Sequence, residues 1–201
     1  MVNTLKDNEI MENLGLLADW LRVKHPGERF ELTVAGGAAM ILEGFKDQTK
    51  DIDLLKPQVL PDSIIQGIEH IGRVKKLSPE WLNTNLAHML SKVIGAAELP
   101  AYFNEISRTI EVSDNLKISL IGRQALISLK MYASTPSYSK HTEDISNLRA
   151  NKEEITEAVR FVVSIDNSNP RQDDLRIVLK RLGFNFDEIH RGLTRKDRPS
   201  H

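Results

Sequence analysis

Residues Phe30 to Leu55, FELTVAGGAAMILEGFKDQTKDIDLL, restrict the fold more than any other part of the chain. Phe30, Leu32 and Val34 alternate with Glu31 and Thr33, the period-two pattern of a half-buried strand. Gly36-Gly37 follow without a spacer, and Ala38 to Glu43 suits a short helix. Lys50-Asp51-Ile52-Asp53-Leu54 then alternates again, with Ile52 and Leu54 to one side and Asp51 and Asp53 to the other. Asp51 and Asp53 are hard oxygen ligands on one strand face, a pattern that suits Mg2+ shared with substrate phosphates. Two such ions about 3.5–4 Å apart clamp both oxygens of an in-line phosphoryl displacement. Gly36 and Gly37 lack a Cβ, which lets backbone approach a triphosphate, and the helix start behind them would aim N–H groups at it. Thr49 could add a hydroxyl. Taken singly, an Asp-x-Asp is also what a solvated strand end shows, and a Gly-Gly is also a plain turn. Their order on strand, turn, helix and strand is what points to a site.

That order resembles the core motif of the DNA polymerase β nucleotidyltransferase superfamily. Within it the stretch is most similar to the bacterial minimal nucleotidyltransferases, including the AbiEii-type toxins of toxin–antitoxin and phage-defence systems. The matching residues are Gly36-Gly37-Ala38-Ala39 and Thr49-Lys50-Asp51-Ile52-Asp53-Leu54. A second block matches too: Leu126 to Ala133, containing Lys130, followed by Lys140-His141-Thr142-Glu143-Asp144-Ile145. The resemblance covers roughly Phe30 to Leu148. It implies transfer of a nucleoside monophosphate from an NTP to a hydroxyl acceptor: RNA such as a tRNA end, a protein, or a small molecule. It implies Asp51, Asp53 and Lys130 as catalytic residues, Gly36, Gly37, Thr49 and Lys130 as nucleotide-binding residues, Mg2+ as cofactor, and a cognate antitoxin or other protein as partner. It also implies a third metal-binding carboxylate beside the Asp-x-Asp strand. Glu111 is the best candidate and Glu105 the second; each also reads as an outward-facing glutamate. Lys130 is either a cation for the triphosphate or a lysine that merely extends to water. Asp144 either holds Lys130 or is an ordinary acid early in a helix. The chain departs from the family pattern at Asp47 and Pro136, where an Arg is usual, at His141, where an Asp is usual, and at Gly37, where many relatives carry Ser. These departures motivate an alternative reading, a catalytically inert nucleotidyltransferase scaffold used for binding. An accidental Asp-x-Asp in an unrelated α/β domain is the third.

The chain has 201 residues, enough for one large domain or a catalytic domain with a helical appendage. It contains no Cys, which excludes disulfides, thiolate metal sites and a Cys nucleophile. No apolar run reaches a membrane span, and Met1 to Asp7 has no apolar signal-peptide core; a cytoplasmic protein is expected. The formal net charge of −1 argues against a general nucleic-acid binder. Arg171 to His201 carries eight Lys or Arg against five Asp or Glu, a weak hint of an acidic partner or simply a solvated helix face.

Elsewhere, Asn8 to Lys24 is an amphipathic helix stopped by His25-Pro26-Gly27, with Trp20 at its boundary. Pro61 to Val74 is a second helix. Ser78-Pro79 carries helix-start chemistry, Ser as N-cap and Pro at N1, which would put Asn83 and Asn85 on a helix surface or lining a site. Arg108 to Val112 and Leu116 to Ile121 form an antiparallel pair, Gly122 to Ser134 is the Lys130 helix, and Lys152 to Ser164 and Arg171 to Leu182 are two more. The expected fold is α/β (α+β): a small mixed, twisted sheet with flanking helices, the nucleotidyltransferase arrangement, and a helical C-terminal part. Expected boundaries are 1–148 for the sheet-bearing domain, 149–192 for the helical part and 193–201 for a fraying tail.

Overall fold

The computed structural model describes residues 4–94 and 98–196. The fold is α+β, with helices flanking one mixed sheet. The chain forms two compact units: residues 1–98 with 104–122, and residues 99–103 with 123–201.

The first unit opens with α1 (Asp7–Lys24), whose Ile10, Leu14, Leu17 and Leu21 are fully buried at helical spacing. Each such side chain contributes about 1.5–3 kcal/mol by leaving water. The helix stops at His25, and Gly27 turns the chain at φ +88°. There follow β1 (Phe30–Ala35), α2 (Gly36–Leu42), β2 (Ile52–Lys56), α3 (Asp62–Lys75), β3 (Leu82–Asn83), α4 (Asn85–Ile94), β4 (Ile106–Glu111) and β5 (Leu116–Ile121). The sheet order is β3-β2-β1-β5-β4. β1 is antiparallel to β2 and parallel to β5, β2 is parallel to β3, and β4 is antiparallel to β5. Because β1 lies centrally, Thr33 is buried along with Leu32 and Val34, although its alternation predicts an open face. α1 packs against α3.

The second unit holds α5 (Arg123–Ala133), α6 (Lys140–Asn147), α7 (Lys152–Ile165), α8 (Asn169–Arg181) and α9 (Phe186–Lys196). α5 packs on both α6 and α7, and α9 packs on α7. The Asn151 side chain caps α7 by accepting from Glu154 N at 2.9 Å, and Glu154 accepts from Asn151 N at 2.9 Å. This reciprocal pair satisfies N–H groups that a helix start otherwise leaves open. Arg171 closes the far end of α5, donating to the carbonyls of Met131, Tyr132 and Ser134 at 3.1, 2.7 and 2.9 Å. Burial pulls the Arg171 guanidinium below its usual value.

Three features depart from the sequence reading. The two units divide at Gly122, not Leu148, because α5 buries its face on α7 and so joins the helical unit. Ser78-Pro79 opens a turn closed by Trp81 N to Ser78 O at 3.0 Å, not a helix. Trp81 is 1% exposed and donates its ring N–H to Ile68 O at 3.1 Å, and the next two residues pair with β2. Tertiary burial and the ladder override the local cap. Finally, α9 (Phe186–Lys196) has no counterpart among the helices expected from the sequence. Leu193 to Lys196, assigned to the tail, complete this helix, and residues 197–201 lie outside the described set. Among the described residues no helix is long and apolar enough to cross a membrane.

Candidate active site

The register of β1 and β2 sets Val34 opposite Leu54 and Ala35 opposite Asp53. The last residue of β1 therefore sits beside Asp53 just as the chain turns into α2. Gly36 makes that turn at φ +64°, in the left-handed region that glycine enters without penalty. A Cβ there would lie 2.4 Å from Asp53 Oδ2, and one on Gly37 would lie 2.4 Å from Thr49 Oγ1. The space that both glycines leave open is thus taken by the chain's own carboxylate and hydroxyl. Thr49 is 5% exposed and held by an antiparallel bridge to Leu5, with N···O distances of 2.6 and 2.9 Å.

Asp51 stands one residue before β2, whose start is anchored by Ile52 N donating to Trp81 O at 2.7 Å. Ile52 and Leu54 are fully buried, while Asp51 and Asp53 are half-buried. The predicted alternation of the two acids with two core residues therefore holds. Thr49, Asp51 and Asp53 recur every second residue along this segment, and the first and last of them lie against the glycine turn. Two half-buried carboxylates are a hard-oxygen donor set of the kind that Mg2+ uses together with phosphate oxygens and water. Among the described residues no group of three or more His, Cys, Asp or Glu could hold a metal. A cation here would take its remaining ligands from substrate and water.

The expected third carboxylate is not beside this pair. Glu111 pairs with Lys117 of β5, and Lys117 pairs with Glu31 at the start of β1. Asp53 sits at the other end of β1 and on the far side of it. Strand rise and spacing separate Glu111 from Asp53 by roughly 20 Å. The reason is sheet order: the β4–β5 hairpin joins β1 through β5, so β4 becomes the edge strand farthest from β2 on that side. The strand beside β2 away from β1 is β3, and Asp53's register partner there is Asn83. The Asn83 carboxamide donates to Glu80 O at 2.9 Å and accepts from Asn85 N at 2.9 Å. Glu105 lies nearer the Asp53 end, where its carbonyl accepts from Gly122 N at 2.7 Å beyond the end of β5, but its side chain is exposed.

Around Glu31 the charge is otherwise settled. Its carboxyl is held below the ordinary value, first by the Ser119 hydroxyl at 3.0 Å and then by Lys117 at 3.3 Å.

In the second unit, Lys130 is 6% exposed and its Nζ lies 2.7 Å from Asp144 Oδ2, itself on a 2%-exposed residue. Of the two readings of Asp144, the one that holds Lys130 is the one found. His141 packs edge-on against Tyr138, ring centroids 5.3 Å apart. Burial pushes the Glu154 carboxyl up, but the Arg123 guanidinium, its Nε 2.6 Å away, and the Asn151 N–H outweigh this and hold it below the usual range.

The sequence reading placed Asn83 and Asn85 on a helix surface or in a site. Both line a cleft in the first unit together with Thr84 and His88, Asn83 from β3 and the exposed Asn85 from the first position of α4, so the helix-surface reading holds for Asn85 alone. The Asn-Thr-Asn spelling signalled it, but the helix expected from Ser78-Pro79 concealed it.

No protein-family model, curated protein or solved structure matches the chain.

Proposed function

We propose that the chain is a Mg2+-dependent nucleotidyltransferase of the minimal, AbiEii-like type, moving a nucleoside monophosphate from an NTP to a hydroxyl acceptor. The observation that carries the reading is Asp53 seated against Gly36, with Asp51 two residues before it and Thr49 against Gly37. The β1–β2 register brings Asp53 to the glycine turn, which is where the reading needs it. In the proposed reaction the acceptor hydroxyl gives up its proton to water as its oxygen bonds to the α-phosphorus, the bond from that phosphorus to the α–β bridging oxygen breaks, and pyrophosphate leaves with that electron pair. Asp51 and Asp53 would hold the cation, and Mg2+, when bound, would neutralise charge on the phosphates. The Thr49 hydroxyl and the backbone of Gly36 and Gly37 would position the triphosphate. Lys130 is assigned to charge neutralisation by the family resemblance. The acceptor is an RNA end, a protein or a small molecule, and an antitoxin or partner protein fits the toxin-like reading.

A second reading, an inert scaffold of the same fold, is favoured by one observation: the residue paired with Asp53 on the neighbouring strand is an amide, Asn83, and the candidate third acid Glu111 lies far from the pair. Calorimetry with each of the four NTPs, with and without Mg2+, separates the two. An enzyme binds NTP with Mg2+ and loses that binding in Asp51→Ala/Asp53→Ala. An inert scaffold binds no NTP, or binds it without regard to Mg2+ or to the two aspartates.

A further inference from the structure

A cleft of about 730 Å3 in the first unit lies among α3, the turn after it, β3 and the start of α4. Pockets of this size that combine apolar walls with a few convergent polar groups hold small ligands. Leu60, Ile65, Ile68, Leu77 and Leu82 give the apolar lining, and Ile65 is 41% exposed there. Asn83, Thr84, Asn85 and His88 give the polar lining. Two of these groups are already fixed. Asn83 is held by Glu80 O and Asn85 N, and His88 Nδ1 lies 3.3 Å from Thr84 Oγ1. A carboxamide so held retains a second N–H and a second lone pair for a ligand. Arg73 and Lys76, both exposed, add two positive charges to the lining and the exposed Glu69 adds one negative, a net positive charge.

We propose that this cleft binds one nucleotide unit, its base between the apolar residues and the Asn83–His88 run, its phosphate on Arg73 and Lys76. A fatty acyl chain would leave the amides and imidazole unmatched. Inorganic phosphate would leave the 41%-exposed Ile65 facing water. A nucleotide offers a counterpart to all three kinds of lining: an apolar base face, an edge of donors and acceptors, and an anionic phosphate. The cleft also adjoins the acid-bearing strand, since Asn83 is the register partner of Asp53. The inference does not depend on metal binding at Asp51 and Asp53.

The test follows amide NMR shifts of the whole chain, without Mg2+, on adding the four nucleoside monophosphates, the parent nucleosides, and a single-stranded RNA trinucleotide. Ile65→Trp fills the cleft from an exposed position, and Asn85→Leu removes a polar edge from another. Each should weaken binding about tenfold or more, while Asp51→Ala/Asp53→Ala leaves it unchanged. Arg73→Ala should weaken the monophosphate and spare the nucleoside. Monophosphate binding with this pattern supports a free nucleotide as occupant; trinucleotide binding alone, with the same pattern, supports the end of an RNA chain. Binding by neither probe overturns the proposal. So does binding that is indifferent to both Ile65→Trp and Asn85→Leu, or that is lost only with the aspartates.

Discussion

Asp53 and Asp144 both stand in acid-bearing segments picked out by the sequence, yet their surroundings are opposed. Asp53 is half-buried against a glycine turn at the end of two strands. Asp144 is almost sealed from water and lies 2.7 Å from a lysine that is equally sealed. A buried ion pair is held by the cost of breaking it, because removing one partner leaves the other charge uncompensated. A half-buried carboxylate keeps part of its hydration, so replacing it costs less than breaking a sealed pair. The comparison separates a carboxylate sealed in an ion pair from one that water still reaches.

The largest expected effect lies on the sealed side. Lys130→Ala should cost about 3–5 kcal/mol in urea unfolding, since it removes the cation 2.7 Å from the buried Asp144 carboxylate. Lys130→Met with Asp144→Leu should recover most of that loss. A cost for Lys130→Ala below about 1 kcal/mol would place the pair among solvated bridges and remove the contrast.

Next is Gly36→Ala. It adds a Cβ where Asp53 Oδ2 already lies and forces a left-handed backbone on alanine. The expected cost is about 1–3 kcal/mol, seen as a lower denaturant midpoint at unchanged slope. An alanine tolerated without loss would mean that the carboxylate moves aside freely.

The helical unit should also respond to acid through Glu154. Its folded pKa is depressed, so its contribution is fully present above the unfolded value of 4.5 and is lost as pH falls through the lower folded value. The stability gap between wild type and Glu154→Gln, roughly 1–2 kcal/mol at neutral pH, should close below that window. A gap that stays constant from pH 7 to pH 3 would rule out this linkage.

The smallest expected stability effect belongs to Asp51→Asn with Asp53→Asn. Removing half-exposed carboxylates should change unfolding by less than about 1 kcal/mol while abolishing Mg2+-dependent NTP binding.

Much of this contrast was legible in the residues. The strand, glycine turn, helix and second strand are encoded locally, by alternation and by Gly36-Gly37, and they form in that order, with both glycines inside α2, Thr33 buried and Asp51 just outside β2. Lys130 and Asp144 were paired as one of two readings, because their helices follow each other closely in the chain. What the sequence concealed depends on long-range order. Nothing near Glu111 tells that its hairpin joins the sheet through β5 and so lies far from Asp53. Ser78-Pro79 carries a good helix-start signal, but the burial of Trp81 and the pairing of Leu82 and Asn83 with β2 outweigh it. α9 was missed because Phe186, Ile189 and Leu193 are spaced for one helix face but sparse in a polar run; the Asn185 carboxamide, accepting from Glu188 N at 3.1 Å, was the available start signal.

The most direct test of the account locates the cation itself. Mn2+ with NTP, added to the labelled protein, broadens amide signals near the metal. The account predicts loss of the Gly36, Gly37 and Asp51–Asp53 signals while those of Glu31 and Glu111 persist, and no such loss in Asp51→Asn/Asp53→Asn. Broadening centred on Glu31 and Glu111, or unchanged by the two substitutions, would contradict it.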